Sequence, residues 1–228
     1  LDQNLDFHYH KYNDLNQLNT LKELFFKFNP EVIINCAGLT KHLPLIKNPI
    51  EAIKINSIFP IALSELVEKF KCRLIHISSD CVFSGNKGNY LDSDSPDPID
   101  LYGKTKALSE IISNKHLVLR TSTIGHELNT SYGLLNWFLS QKGNSEGYTK
   151  AFFSGLTTLE LAKLIETEVL PRETMCGIYN ISSQRISKYE ILKIIKETYN
   201  LKTNLIENDS VVIDRSLNSS RFCNLTGY

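Results

Sequence analysis

Tyr102 and Lys106 stand four residues apart in Tyr102-Gly103-Lys104-Thr105-Lys106, a stretch that opens a helix with Asp100 before it as N-cap. Side chains at i and i+4 share a helix face, so the phenol and the ammonium lie side by side. A neighbouring cation favours the phenolate and lowers a tyrosine pKa from about 10 toward the operating pH. Tyr102 would then serve as general acid or base. By itself the spacing decides little, because an amphipathic helix with a surface lysine carries it too. Ser78-Ser79-Asp80 ends an apolar run upstream and offers hydroxyls to a substrate carbonyl, although a turn closed by local side-chain bonds has the same look. Asn35-Cys36-Ala37-Gly38 ends the run before it with small residues. Such residues admit either a flat ligand or a closely packed helix.

The elements that must position these groups follow from the chain order. Val32-Ile33-Ile34-Asn35-Cys36, the run 73–78 and the run 116–120 read as buried strands. Between them lie helical patterns at about 49–70 and 101–113. Near-continuous apolar strands alternating with helices predict a parallel sheet covered on both faces, with right-handed crossovers: a doubly wound α/β core. Pro60 inside the first helix predicts a kink near Asn56. Beyond Arg120 the alternation loosens, with scattered glycines and Trp137-Phe138. Helices resume at about 157–169 and 187–199, bracketing a strand at about 178–181. The expected division is a partial dinucleotide-binding Rossmann domain over 1–122 and a smaller substrate lobe over 123–228, from which strand 178–181 returns to the sheet. Ligands of open α/β sheets bind beyond the carboxyl ends of the strands. Here three successive strand ends are chemically equipped: 36–40, 78–80 and Arg120-Thr121-Ser122.

Composition narrows the function classes. In 228 residues, 25 Lys and Arg balance 25 Asp and Glu, which disfavours nucleic-acid binding and a polybasic membrane surface. No apolar run is long enough to span a bilayer, and the polar opening Leu1-Asp2-Gln3-Asn4 does not read as a signal peptide. Cys36, Cys72, Cys81, Cys176 and Cys223 lack C-x-x-C spacing, so neither a disulfide framework nor a zinc site is expected. They read as buried small hydrophobes in a cytoplasmic protein. His8 and His10 alternate on a strand-like piece and read as edge positions rather than metal ligands.

Taken in order, Asn35-Cys36-Ala37-Gly38, Ser78-Ser79-Asp80-Cys81-Val82-Phe83-Ser84-Gly85, Tyr102-Gly103-Lys104-Thr105-Lys106 and Leu119-Arg120-Thr121-Ser122 resemble the extended short-chain dehydrogenase/reductases, and within them the dTDP-4-dehydrorhamnose reductase branch. Gly177-Ile178-Tyr179-Asn180 and Asp214-Arg215-Ser216-Leu217 extend the resemblance nearly end to end. The resemblance implies a cofactor, NADP(H) or NAD(H), and reduction of a dTDP- or UDP-linked 4-keto-6-deoxyhexose, with a homodimer allowed. It implies Tyr102 as proton donor, Lys106 as the group that holds the nicotinamide ribose and lowers the Tyr102 pKa, and Ser79 as hydrogen-bond donor to the reacting oxygen. Cys36, Ala37, Gly38, Thr40 and Ser78 would line the dinucleotide together with Tyr102 and Lys106. Asp80 would orient its loop beside the substrate, and Lys41, His42 and Arg215 would contact it. Trp137 reads as core or lid. The family's Gly-rich turn would lie upstream of Leu1, so the chain reads as a fragment, and the residues choosing NAD or NADP lie outside it. Thr123 stands where the rhamnose-pathway enzymes carry an aromatic residue, which leaves the sugar open. An epimerase of the same fold and a non-catalytic regulatory subunit are the alternatives. Dehydration is disfavoured, because Asp80 is followed by Cys81 rather than a second acid.

Overall fold

The computed structural model describes residues 18–128 and 130–228. Its strands are β1 (Val32–Asn35), β2 (Arg73–Ile77), β3 (Leu117–Arg120), β4 (Thr123–Ile124), β5 (Asn144–Tyr148), β6 (Ala151–Phe153), β7 (Leu156–Thr157), β8 (Gly177–Asn180), β9 (Ile186–Ser187), β10 (Asn204–Asn208) and β11 (Ile213–Asp214). Its helices are α1 (Leu18–Phe28), α2 (Pro49–Ile53), α3 (Phe59–Phe70), α4 (Leu101–Ser109), α5 (Leu134–Leu139), α6 (Thr158–Leu164), α7 (Lys188–Thr198) and α8 (Ser220–Thr226).

β1, β2, β3 and β8 form a parallel sheet in that order. Strand side chains alternate between faces, and here both faces are apolar. Ile34, Ile75, Leu117 and Leu119 pack against Leu161 and Leu164 of α6 and Phe222 of α8. Ile33, Leu74 and Val118 pack against Phe25 of α1 and Phe59, Leu63 and Val67 of α3. Burial on both sides explains why these strands read as continuous apolar runs rather than alternating ones. The doubly wound architecture is thus present, and β8 is the late strand that joins β3.

α2 and α3 are joined by a π-helical turn over Lys54–Ile58, in which the Phe59 N–H reaches back to the Lys54 carbonyl. Pro60 has no N–H, and in an unbroken α-helix its ring would crowd the Asn56 carbonyl. The wider turn accommodates it, and Asn56 and Ser57 are fully buried there. The remaining chain builds short parallel pairs, β5 with β10 and β4 with β7, and a small mixed sheet of β11, β6 and β9. α7 closes this region through Ile191, Leu192 and Ile195, packed on Leu135 and Phe138 of α5. Phe138 is core, whereas the neighbouring Trp137 is 38% exposed.

The cysteines meet expectation only in part. Cys72 and Cys81 are buried, but Cys36 and Cys176 are exposed and Cys223 is intermediate, all as free thiols. Cys36 directly follows β1 and Cys176 directly precedes β8, so both sit where the sheet gives way to loop. His8 and His10 lie outside the described residues. Among the described residues no helix is long and apolar enough to cross a membrane.

Candidate active site

The site is built at the carboxyl ends of β1 and β2 and the start of α4. Asp100 caps α4, its Oδ1 accepting the Gly103 N–H at 2.7 Å. Gly103 lets the first turn of α4 sit against the 80–82 loop: a Cβ there would lie 2.1 Å from the Cys81 carbonyl oxygen and 2.8 Å from Pro98 Cβ. That contact brings Tyr102 to Ser79. Ser79 caps the short 3-10 turn Asp80–Val82, its Oγ accepting the Cys81 N–H at 3.1 Å and donating to Asp80 Oδ1 at 3.2 Å. Asp80 is thereby an orienting partner of Ser79, and its own N–H is tied to Thr121 O at 3.1 Å.

Burial drives the Tyr102 pKa up, Cys81 and Asp80 add to the rise, and a hydrogen-bonding Ser79 hydroxyl opposes it. This corrects the expected lowering by Lys106: the phenol stays protonated. Lys106 itself points inward. Its Nζ donates to Ile77 O at 2.6 Å and lies 3.4 Å from His76 Nε2. Burial pulls its pKa down to about 8, against the pull of Glu110 and Cys36.

Of the residues expected to line a dinucleotide, Cys36, Gly38 and Thr40 are exposed along the loop that leaves β1, with Ala37 half-buried among them. Ser78 is engaged differently. Its hydroxyl donates to Glu110 Oε1 at 2.7 Å and its N–H to Leu119 O at 2.8 Å, so the side chain is committed inside the protein. Glu110 in turn holds Arg120 bidentately, with Nη2 to Oε2 at 2.7 Å and Nε to Oε1 at 3.0 Å. Arg120 reaches on to Asp92 O at 3.2 Å and lies over the Phe83 ring.

The expected substrate-side cations converge on one wall. Arg215 donates from Nε to Phe83 O at 2.8 Å and lies 3.8 Å from Cys81 Sγ. Lys41 and Arg215 both act on the buried Cys81 thiol, which burial nonetheless pushes up to about 11. Lys188, at the start of α7, joins them: burial lowers its pKa, and so do Lys41 and Arg215, while Asp80 and Cys81 oppose the shift. His42 keeps part of its ring at the surface, and its pKa is lowered by partial desolvation and by Lys41 and Lys188, against Glu127.

Residues that sequence reasoning missed form the layer beneath. Asn56 Oδ1 accepts the Leu39 N–H at 2.7 Å while its Nδ2 donates to Leu39 O at 3.0 Å and Thr105 Oγ1 at 3.1 Å. Thr105 Oγ1 donates to Tyr102 O at 2.9 Å. Asn35, His76 and Ser109 form a second link, described below. The signal for Asn56 was present as a buried-helix asparagine four residues before a proline; nothing singled out His76, Ser109 or Lys188.

Comparison with known families gives one match to a family model, the RmlD substrate binding domain, over residues 4–145. The chain belongs to this family. Among curated relatives, methionine adenosyltransferase 2 subunit beta of Bos taurus is 26% identical over 220 residues, spanning 89% of this chain and 66% of that protein, so the chain falls just short of two thirds of its length. A solved structure described as a hypothetical dTDP-4-dehydrorhamnose reductase from Sulfolobus tokodaii superposes with a TM-score of 0.82 at 28% identity, covering 97% of this chain and 83% of the other. The dTDP-4-dehydrorhamnose reductase of Bacillus anthracis, solved in complex with NADP, has the same fold, with a TM-score of 0.81 at 22% identity over 95% of this chain and 81% of that one. This member of the RmlD family therefore shares the Rossmann-type architecture of those reductases.

Proposed function

We propose that this chain is the catalytic part of an NAD(P)H-dependent oxidoreductase that reduces the 4-keto group of a nucleotide-activated 6-deoxy sugar in the cytoplasm. The observation that carries this reading is the half-buried Tyr102 placed beside the Ser79 hydroxyl, with a cluster of cations on the adjoining wall.

The residues present fit a nicotinamide nucleotide. The loop after β1 is built from small residues, and at Gly38 a Cβ would come within 3.3 Å of Asn56 Oδ1. A buried ammonium, Lys106, sits at the end of β2. Ala37, Gly38 and Thr40 would line the nucleotide and Lys106 would hold its ribose. When bound, the cofactor supplies hydride to the sugar carbonyl carbon. Tyr102 gives its phenolic proton to the carbonyl oxygen, and Ser79 donates a hydrogen bond to that oxygen as charge develops there. Two donors fixed before the reaction stabilise developing charge without reorganisation. Lys41, Lys188 and Arg215 would hold the anionic nucleotide-diphosphate part, and Asp80 keeps Ser79 aimed. The B. anthracis complex with NADP supports the choice of cofactor class.

The test is optical. The protein is mixed with NADPH or NADH and a dTDP-linked 4-keto-6-deoxyhexose, with the UDP-linked analogue in parallel. Oxidation should occur and should fall by about a hundredfold or more in Tyr102→Phe, the worth of a positioned general acid. Turnover that survives Tyr102→Phe refutes the assignment of the acid. A second reading, a subunit that binds a partner enzyme without turning over a sugar, is favoured by the relative named as subunit beta. Tight nicotinamide binding with no oxidation of either sugar nucleotide would select it.

A further inference from the structure

His76 is the fourth of the five residues of β2, fully buried, and the proposed reaction makes no use of it. Its surroundings fix its protonation. The Ala37 N–H donates to Asn35 Oδ1 at 3.0 Å, which orients the Asn35 amide and leaves Nδ2 to face His76 Nδ1 at 3.1 Å. Nδ1 is therefore the acceptor and Nε2 carries the proton. The Nε2–H meets Ser109 Oγ at 3.0 Å, and the Ser109 hydroxyl donates to Lys106 O at 2.6 Å. The links form a single directed chain, from the backbone of the loop after β1 through Asn35, His76 and Ser109 to the backbone of Lys106. Each donor in it faces an acceptor. The imidazole stays neutral, since burial and the charge of Lys106 both push its pKa well below the ordinary value. With the proton on Nε2, the 3.4 Å approach of Lys106 Nζ is a contact between two donors. It turns the ammonium toward Ile77 O, at 2.6 Å.

We propose that His76 is a positioning residue that ties the loop after β1 to Lys106, so that the nicotinamide-side backbone at Ala37 and the Lys106 ammonium keep one spacing. The proposal rests on the reading of Lys106 as the group that holds the nicotinamide ribose. Because Asn35 faces Nδ1 with a donor, the ring has no outlet for a proton on that side, and its role is geometric rather than that of a relay.

Two measurements test it. In the cofactor-free protein, the 15N resonances of the His76 ring report which nitrogen is protonated, independent of any activity. They should show Nε2–H and a neutral ring across the neutral pH range; a proton on Nδ1, or a charged ring, overturns the proposal. In turnover, Ser109→Ala and His76→Leu should raise the KM for NADPH or NADH about three- to tenfold, the worth of one buried hydrogen bond, with kcat changed less than twofold. His76→Gln places an amide N–H where Nε2–H was and should return KM to within about twofold of wild type. If Ser109→Ala and His76→Leu lower the melting temperature but leave the nicotinamide KM unchanged, His76 is filler and the proposal fails. Should His76→Leu not fold, the pair Ser109→Ala and His76→Gln decides by the same criterion. A wild type that oxidises no nicotinamide refutes the reductase reading alone, and the ring resonances still judge the chain.

Discussion

Gly103 is the position where a single methyl group tests the whole construction of the site. In Gly103→Ala the new Cβ would start 2.1 Å from the Cys81 carbonyl oxygen and 2.8 Å from Pro98 Cβ. Real contacts of this kind stay beyond 3.0 Å, so the first turn of α4 must retreat from the 80–82 loop by about 0.9 Å. The obstacle is backbone, held by the Asp80 N–H to Thr121 O and by the Ser79 cap, so it has no rotamer with which to yield. Tyr102 rides on the same turn and must move with it, away from Ser79. Overpacking of this size costs about 1–3 kcal/mol of stability, although alanine is otherwise the better helix former by about 1 kcal/mol. A displacement of about 1 Å in a reacting group costs about a hundredfold in rate. The expected result is a protein that melts a few degrees lower yet remains folded at 25 °C, with kcat/KM for sugar-nucleotide reduction down about a hundredfold. Nicotinamide KM should change far less, since Lys106 sits a full turn further on. Steady-state NADPH oxidation together with thermal unfolding by circular dichroism gives both numbers. Wild-type kcat/KM in a folded Gly103→Ala protein would refute the claim that this glycine sets the Tyr102–Ser79 approach.

Three further outcomes follow from the same geometry. Arg120→Met strands a buried Glu110 carboxylate with Ser78 as its remaining side-chain donor, and should cost about 3–5 kcal/mol in urea unfolding at pH 7, whereas Arg120→Met/Glu110→Gln should recover much of it; a double variant no better than the single would refute the ion-pair account. Lys106 has a folded-state pKa near 8 against an ordinary 10.5, so the native state binds fewer protons than the unfolded chain between those values and stability should rise with pH across that window. Lys106→Met should lack that rise, so its unfolding free energy from urea titration should exceed that of wild type by on the order of 3 kcal/mol at pH 7, with the gap closing toward pH 10.5; parallel pH curves would refute it. Lys188→Ala should raise the KM for the sugar nucleotide several-fold with kcat little changed, and should weaken its salt dependence, as expected for a cation that binds the anionic part of the substrate uniformly.

The sheet was legible because its strands are buried on both faces. Val32 to Ile34, Leu74 and Ile75, and Leu117 to Leu119 must each satisfy two helical layers, and this leaves a run of apolar residues that polar loops cannot mimic. The helix over 49–70 was legible from its apolar positions Ala52, Phe59, Leu63, Leu66 and Val67, which it buries, and Pro60 marked its irregular turn. The chain after Arg120 was less legible. Apart from β8, which joins the main sheet, its strands pair in separate small sheets, and most of them are only two or three residues long, too short for alternation to rise above local composition. The burial expected of the cysteines held for Cys72 and Cys81 but not for Cys36 and Cys176, because residue type speaks to average burial, whereas these two are placed by where β1 ends and β8 begins.

The same distinction separates the legible part of the site from the rest. Tyr102, Lys106 and Ser79 stood out as candidates because their chemistry is carried by local spacing and by strand ends, both of which are one-dimensional facts. Lys188 reaches the site from the start of α7, and nothing near it in the chain has matching chemistry. The direction of the Tyr102 pKa was misread for a related reason. Spacing places a cation four residues away but does not say where its head group points, and here the Lys106 ammonium turns to Ile77 O at 2.6 Å while burial acts on the phenol. A helical i, i+4 pair is therefore a statement about two stems. Whether the heads act on one another depends on the acceptor each finds across the fold. In this protein that acceptor belongs to the strand beneath, which makes the buried polar layer of Asn35, His76 and Ser109 as much a determinant of Lys106 as its place in the motif.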